Sequence, residues 1–232
     1  MGFLYIDEYY LLLCVPALIL SLIAQWKVKS SYSKYSQVRN IRGITGAEAA
    51  KRVLAFYGVS DVRIEMTSGR LSDHFDPSSN VIRLSSGVYD GISIAAVGIA
   101  CHEAGHAAQH AEGYLPIKIR QAVIPITRFG STAGIFLALF GYIFGFEPLV
   151  SIGLLLYFFI VVFQLVTLPV EFNASRRAIS VINETNMLTA DELPQAKKML
   201  SAAAMTYVAA LIVSFAQFLR ILLRFSNRNN RR

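Results

Sequence analysis

In this 232-residue sequence, the residues best suited to chemistry are His102-Glu103-Ala104-Gly105-His106. On a helix, positions i and i+4 share one face, a single turn apart. Two imidazoles so placed reach one zinc ion at about 2.0–2.1 Å. Glu103 is rotated about 100° from His102 around such a helix. It does not ligate in this pattern; it stands beside the ion, where it can take a proton from the attacking water. Titratable groups amid Ala and Gly are costly in an apolar helix unless paired or metal-bound. The alternative is a pair of solvent-facing histidines on a cytoplasmic helix.

A catalytic zinc needs a third protein ligand and one open position. His110 continues the i+4 series, but it lies eight residues from His102, about 12 Å along a helix axis. One ion cannot bind both from a straight helix, so His110 is expected beside the site or on the surface. Glu171 is the better third ligand. It follows Pro169 at the end of an apolar run, where a carboxylate can reach a site built on another helix. The same position also suits an ordinary exposed Glu near a helix start. His74, in Leu71-Ser72-Asp73-His74-Phe75-Asp76-Pro77, offers an oxyanion contact or a substrate-positioning group. Its other reading is that Asp73, His74 and Asp76 simply shape a turn.

These residues need elements to hold them. A helix is expected from Ile92 to Glu112, capped by Ser93 and stopped by Gly113. Its apolar first part, Ile92 to Cys101, is too short to span a bilayer and reads as buried or interfacial. Upstream, Thr45-Gly46-Ala47-Glu48 fits a capping box opening a helix that ends near Gly58. Val62–Met66 and Val81–Leu84 read as strands, with Asp76–Asn80 as turn chemistry. They suggest a small antiparallel pair.

The remaining sequence is dominated by apolar runs. Hydrophobic residues make up 54%, charged residues 16%, and the mean hydropathy is +0.47. That is too apolar for a soluble domain of this size, since soluble chains are nearer a quarter charged. Four spans are expected: Tyr9–Trp26, Phe129–Phe146, Leu149–Leu168 and Ala202 to about Leu223. The net charge of +7 is spread between the apolar runs and not gathered in one patch, which argues against nucleic-acid binding. Lys27, Lys29, Lys34, Arg39 and Arg42 after the first span place the next segment in the cytoplasm and the N-terminus outside. A full last span then leaves Arg228, Arg231 and Arg232 outside, against the same rule; the charge of the first loop is expected to dominate. Glu147-Pro148 is read as the turn between the middle spans. Gly130, Ser131, Ala133 and Gly134 are small enough for close helix packing. The two cysteines, Cys14 and Cys101, make neither a disulfide framework nor a four-cysteine zinc site.

Cys101–Gln109 (CHEAGHAAQ) with Glu112-Gly113-Tyr114, and Val166–Ala178 (VTLPVEFNASRRA), resemble the YugP-like family of bacterial membrane zinc metallopeptidases. Leu71–Pro77 and Thr206–Ile212 (TYVAALI) resemble it as well, so the similarity covers nearly the whole chain. The resemblance implies an integral membrane zinc peptidase, with His102, His106 and Glu171 as ligands and Glu103 as catalytic. HtpX-like and CAAX-prenyl membrane peptidases are more distantly similar. They carry a Glu-x-x-x-Asp helix, and here Ser175 stands at the Asp position.

The expected protein is therefore a mainly α integral membrane protein with about four transmembrane helices and a small cytoplasmic α+β segment. Its segments are a membrane helix at 1–26, a cytoplasmic segment at 27–121 carrying the zinc-site helix at 92–112, and a membrane hairpin at 122–169. A cytoplasmic helical segment at 170–201 brings the third ligand, and a membrane helix with a basic tail follows at 202–232. One Zn2+ per chain is expected, on a cell-membrane protein with its active site facing the cytoplasm. The substrate would be a peptide or membrane protein. Two other readings are a membrane scaffold or adaptor with a structural zinc, and a non-peptide hydrolase using the same chemistry.

Overall fold

A computed structural model describes residues 7–69 and 71–229 of the chain. A π-helical turn at Tyr10–Cys14 leads into α1 (Val15–Tyr35), followed by α2 (Gly46–Phe56), β1 (Arg63–Thr67), β2 (His74–Asp76) and β3 (Val81–Ser85). The helices α3 (Ser86–Tyr89), α4 (Ile94–Ala111), α5 (Leu115–Phe144), α6 (Glu147–Glu184) and α7 (Leu193–Asn229) complete it. Arg231 and Arg232 of the expected basic tail lie outside the described residues. The chain divides into two compact units. One comprises Met1–Ala24, Lys118–Leu168 and Thr206–Arg232; the other comprises Gln25–Ile117 and Pro169–Met205.

The second unit is built around α4. Its Ala-rich sequence is buried on nearly every side, in a core with Val53 and Leu54 of α2, Ile82 and Leu84 of β3, Val181 and Ile182 of α6, and Met199 of α7. Small residues make that central place possible. A Cβ on Gly98 would lie 2.9 Å from Met199 Cε, and one on Gly105 would lie 2.9 Å from the Ala174 carbonyl oxygen. The ends of the local helices follow their side-chain chemistry. Ser93 accepts from Ala96 N–H (3.1 Å), and Thr45 accepts from Glu48 N–H (3.2 Å). Gly58 and Gly113 take positive φ, 67° each, just past the ends of α2 and α4, which a side chain would resist.

The sheet corrects the expected strand pairing. Its order is β1-β3-β2, with β1 parallel to β3 and β2 antiparallel to it. The Pro77–Asn80 turn does close a hairpin, but between β2 and β3. Because β2 takes one edge of β3, β1 must take the other, and the intervening reversal makes that pairing parallel. Asn40 ties the segment after α1 to the entry of α4: its Nδ2 donates to the Ile44 and Ile92 carbonyls (2.8 and 2.7 Å), and its Oδ1 accepts from Ile44 N–H (2.9 Å).

In the first unit, α5 and α6 pack as close neighbours. A Cβ on Gly141 would lie 2.6 Å from Val150 N, one on Gly153 would lie 2.6 Å from the Gly134 carbonyl oxygen, and one on Gly130 would lie 3.1 Å from that of Leu156. The expected small-residue contact therefore forms through glycines on both helices; the side chain of Ser131 lies outside the described residues. The turn joining them is Gly145-Phe146, with Gly145 at φ 70°, and not Glu147-Pro148, which already open α6. Pro is well suited to a first helical turn, where its missing N–H has no partner to lose.

Three helices are long and apolar enough to cross a membrane among the described residues: Tyr10–Tyr35, Glu147–Glu184 and Leu193–Ser226. The other expected span, Phe129–Phe146, falls mainly in α5, and several of its side chains lie outside the described residues. Pro169 does not end its helix: α6 runs through it to Glu184, so Glu171 sits inside a long helix and not at the start of a new one.

Candidate metal centre

Because α4 is continuous from Ile94 to Ala111, His102 and His106 fall one turn apart, with ring centroids 4.6 Å from each other. Gly105 lets α6 approach between them, opposite Ala174. One turn before Ala174 on α6, Glu171 then projects into the same place. Its Oε2 lies 3.2 Å from His102 Nε2 and 3.5 Å from His106 Nε2. One donor atom from each residue lies within 4.8 Å of the others. Ligands about 2.0–2.1 Å from a tetrahedral zinc are separated by about 3.3–3.4 Å, so these spacings fit one such ion. The donor set also fits, since two imidazoles and a carboxylate leave a fourth position open. Glu171 is only 2% exposed, and a carboxylate buried to that degree requires a cationic or hydrogen-bonding partner.

Glu103 is not one of the three grouped residues, though its carboxyl feels the charges of all of them. Its Oε2 accepts from the backbone N–H of Phe75 at 3.0 Å. Burial pushes its carboxyl above the usual carboxylate range, against the opposing pull of His102 and His106 and with the help of Glu171 and Asp73. Burial alone would push the His106 imidazole down. The hydrogen bond and charge of Glu171, with Glu103, outweigh it and hold His106 above its ordinary value.

The ring nitrogens that face away from Glu171 are also occupied. His106 Nδ1 meets Gln109 Oε1 at 3.1 Å, and His102 Nδ1 meets Ser175 Oγ at 3.2 Å. Such contacts orient metal-binding imidazoles. Ser175 thus stands beside a histidine of the centre with a neutral hydroxyl. Gln109 was not anticipated from the sequence. Its signal is a fully buried amide three positions after His106, on the same helix face.

Other sequence candidates stay out of the triplet. The exposed His110 ring lies against Phe75, with centroids 5.7 Å apart. His74 is exposed, and its Nδ1 lies 2.7 Å from the Ser72 carbonyl oxygen. Asp73 accepts from Ser85 N–H (2.7 Å) and Ser85 Oγ–H (3.0 Å). Asp76 accepts from Ser78 N–H (2.9 Å), Ser79 Oγ–H (2.6 Å) and Arg83 (3.0 Å). Both carboxylates therefore shape the loop around β2. Cys101 is buried in the α4 core, where burial pushes its thiol up, and it is not part of the triplet. Arg177, on α6, forms a two-pronged pair with Glu112 at 2.9 and 2.7 Å.

Comparison with known proteins points to the same metal. Residues 10–226 match a family described as "Putative neutral zinc metallopeptidase". The chain is 45% identical over 218 residues to "Putative membrane protease YugP" of Bacillus subtilis (strain 168), covering 94% of this chain and 97% of the relative. No solved structure matches it. A family match over almost the entire length and a relative 45% identical over nearly all of both chains lead to one conclusion: the chain belongs to the family described as "Putative neutral zinc metallopeptidase".

Proposed function

We propose that the chain hydrolyses peptide bonds at a zinc centre made by His102, His106 and Glu171, with Glu103 as general base. The observation that carries this reading is the convergence of Glu171 on the two histidines at spacings suited to one tetrahedral ion. Zinc, when bound, supplies the Lewis acidity that polarises the substrate carbonyl and makes water acidic near neutrality. Glu103 accepts the proton of the attacking water and then delivers it to the departing amine nitrogen. Phe75 N–H holds the carboxylate in place for that transfer.

The strand edge beside Glu103 suits an extended substrate. Phe75 N–H points away from β3 and toward Glu103. The outer edge of β2 therefore runs past the general base, and a peptide aligned along that edge presents successive carbonyls to the centre.

A four-span arrangement with the N-terminus outside is supported within the first unit. Asp7 pairs with Arg220 and Arg224 at 3.1 and 2.9 Å, and the Arg224 guanidinium lies over the Tyr142 ring at 5.5 Å. The start of the first membrane helix, the end of α5 and the late part of α7 therefore share one end of that unit. An even number of spans has this property. With basic residues following the first span, the segment carrying the centre faces the cytoplasm.

The test uses the full chain purified in detergent. Intact protein is expected to hold one zinc per chain and to cleave an unstructured peptide. Glu103→Gln keeps the zinc and loses cleavage, whereas Glu171→Ala loses both. Cleavage that survives Glu103→Gln would remove Glu103 as the base, whereas zinc held by the intact chain with no cleavage would return the scaffold reading, with zinc as a structural ion only.

A further inference from the structure

The buried amide beside His106 belongs to a chain of hydrogen bonds in which every orientation is forced. It begins at Arg177, which can donate but not accept. Arg177 Nε lies 2.8 Å from Asn173 Oδ1, so that oxygen must be the acceptor. Gln109 Nε2 lies 2.9 Å from the same oxygen and 2.8 Å from the Val170 carbonyl oxygen. Both are acceptors, so the Gln109 NH2 group must face them and its Oε1 must face the other way. That Oε1 meets His106 Nδ1 at 3.1 Å. An amide oxygen can only accept, so Nδ1 must carry the proton. In the neutral, metal-binding imidazole the lone pair is then on Nε2, the atom facing Glu171 at 3.5 Å.

We propose that Gln109 is a positioning residue that fixes His106 in its metal-binding tautomer, and that its own orientation is imposed from Arg177 through Asn173. The proposal rests on the metal-centre reading above and adds to it a relay between the helices that carry the ligands. Arg177 is itself anchored by Glu112 at the end of α4, through bonds of 2.9 and 2.7 Å. The relay therefore leaves α4 at His106, crosses to α6 at Asn173 and returns to α4 at Glu112. His102 has no equivalent. Its Nδ1 partner is the Ser175 hydroxyl at 3.2 Å, which can donate or accept and so dictates no tautomer. The two imidazoles are thus unequally prepared: His106 is preset, while His102 is free to adjust.

The test measures zinc affinity by competition with a chelator, on the full chain in detergent. Loss of a partner behind a metal-bound histidine weakens binding about 10–100-fold. Gln109→Leu is expected to fall in that range, and Ser175→Ala is expected to fall well short of it. Asn173→Asp keeps an acceptor for both Gln109 and Arg177 and is expected to retain affinity, whereas Asn173→Leu loses it. This pair keeps the test decisive if Gln109→Leu does not fold. Nitrogen-15 spectra of histidine-labelled, zinc-loaded protein are expected to show His106 protonated at Nδ1. Unchanged affinity in Gln109→Leu, equal losses in Asn173→Asp and Asn173→Leu, or a His106 proton on Nε2 would each overturn the relay. His106→Ala separates the two readings: if it leaves zinc binding intact, the metal centre itself is misassigned.

Discussion

Glu103 experiences opposing demands. Burial favours its neutral acid, while the general-base role proposed for it needs the ionised form when substrate arrives. Because its carboxyl lies above the usual carboxylate range, the active, ionised form is depleted as pH falls. The acid limb of kcat/KM should therefore lie at higher pH than an exposed carboxylate would give. A pH–rate profile checks this, and the residual activity of Glu103→Gln should lack that limb. Removing a general base costs about 10²–10⁴-fold in rate, so the same variant should lose at least that much while zinc content stays unchanged. The pattern His102-Glu103-x-x-His106 was legible because helical geometry alone puts its members in position. Glu171 was legible as a candidate, but its alternative as an exposed helix-start residue could not be discarded from sequence. Only the packing of α6 on α4 buries it to 2% exposure and turns it inward. Gln109 was not legible as a functional residue, because its role depends on Asn173 and Val170, sixty-odd positions away on another helix.

At the scale of elements, the decisive contact is α4 against α6 at Gly105 and Ala174. A Cβ at Gly105 would lie 2.9 Å from a backbone carbonyl oxygen, with the Ala174 Cα at 3.3 Å. Backbone cannot rotate aside as a side chain can, so α6 must retreat. Gly105→Ala should therefore destabilise the second unit by about 1–3 kcal/mol, the usual cost of overpacking. It should also weaken zinc binding, since Glu171 moves with α6. Thermal unfolding and chelator competition on the same variant check both effects. A change in stability with undiminished zinc affinity would mean that Glu171 reaches the centre independently of this contact. Helix ends at Ser93, Thr45, Gly58 and Gly113 could be read from sequence because caps are local chemistry. Strand partners could not. The pairing of β1 with β3 depends on where β2 docks, and three residues of β2 carry too little alternation to announce a strand. Pro169 misled for a related reason. A proline removes one helical hydrogen bond and usually stops a soluble helix, but membrane helices tolerate it where neighbouring groups compensate.

For the whole molecule, the question is which ends of the membrane helices share a side. The last apolar run was ambiguous in sequence, because a full span carries its basic end outside. Within the first unit, Asp7 pairs with two arginines just before that end, Arg220 and Arg224, at side-chain exposures of 15%, 9% and 19%. That pairing brings the start of the first helix and the late part of α7 to one end of the first unit. Replacing half-buried Asp7 removes the carboxylate shared by these two guanidiniums. Asp7→Ala should therefore lower thermal stability, and Asp7→Glu should restore most of it. Orientation itself is tested with single cysteines in a chain whose buried Cys14 and Cys101 have been replaced by alanine. Glu8→Cys, Phe146→Cys and Ser226→Cys occupy exposed positions near the start of the first helix, in the α5–α6 turn and late in α7. All should react with a membrane-impermeant maleimide on intact cells. Ser60→Cys, exposed in the segment between the first span and α4, should react only after the membrane is opened. If Glu8→Cys and Ser226→Cys label from opposite sides, the last helix does not cross as a full span, and the Asp7 pairing would have to form in some other arrangement. If all three label only after opening while Ser60→Cys labels on intact cells, the orientation is inverted and the centre faces outward.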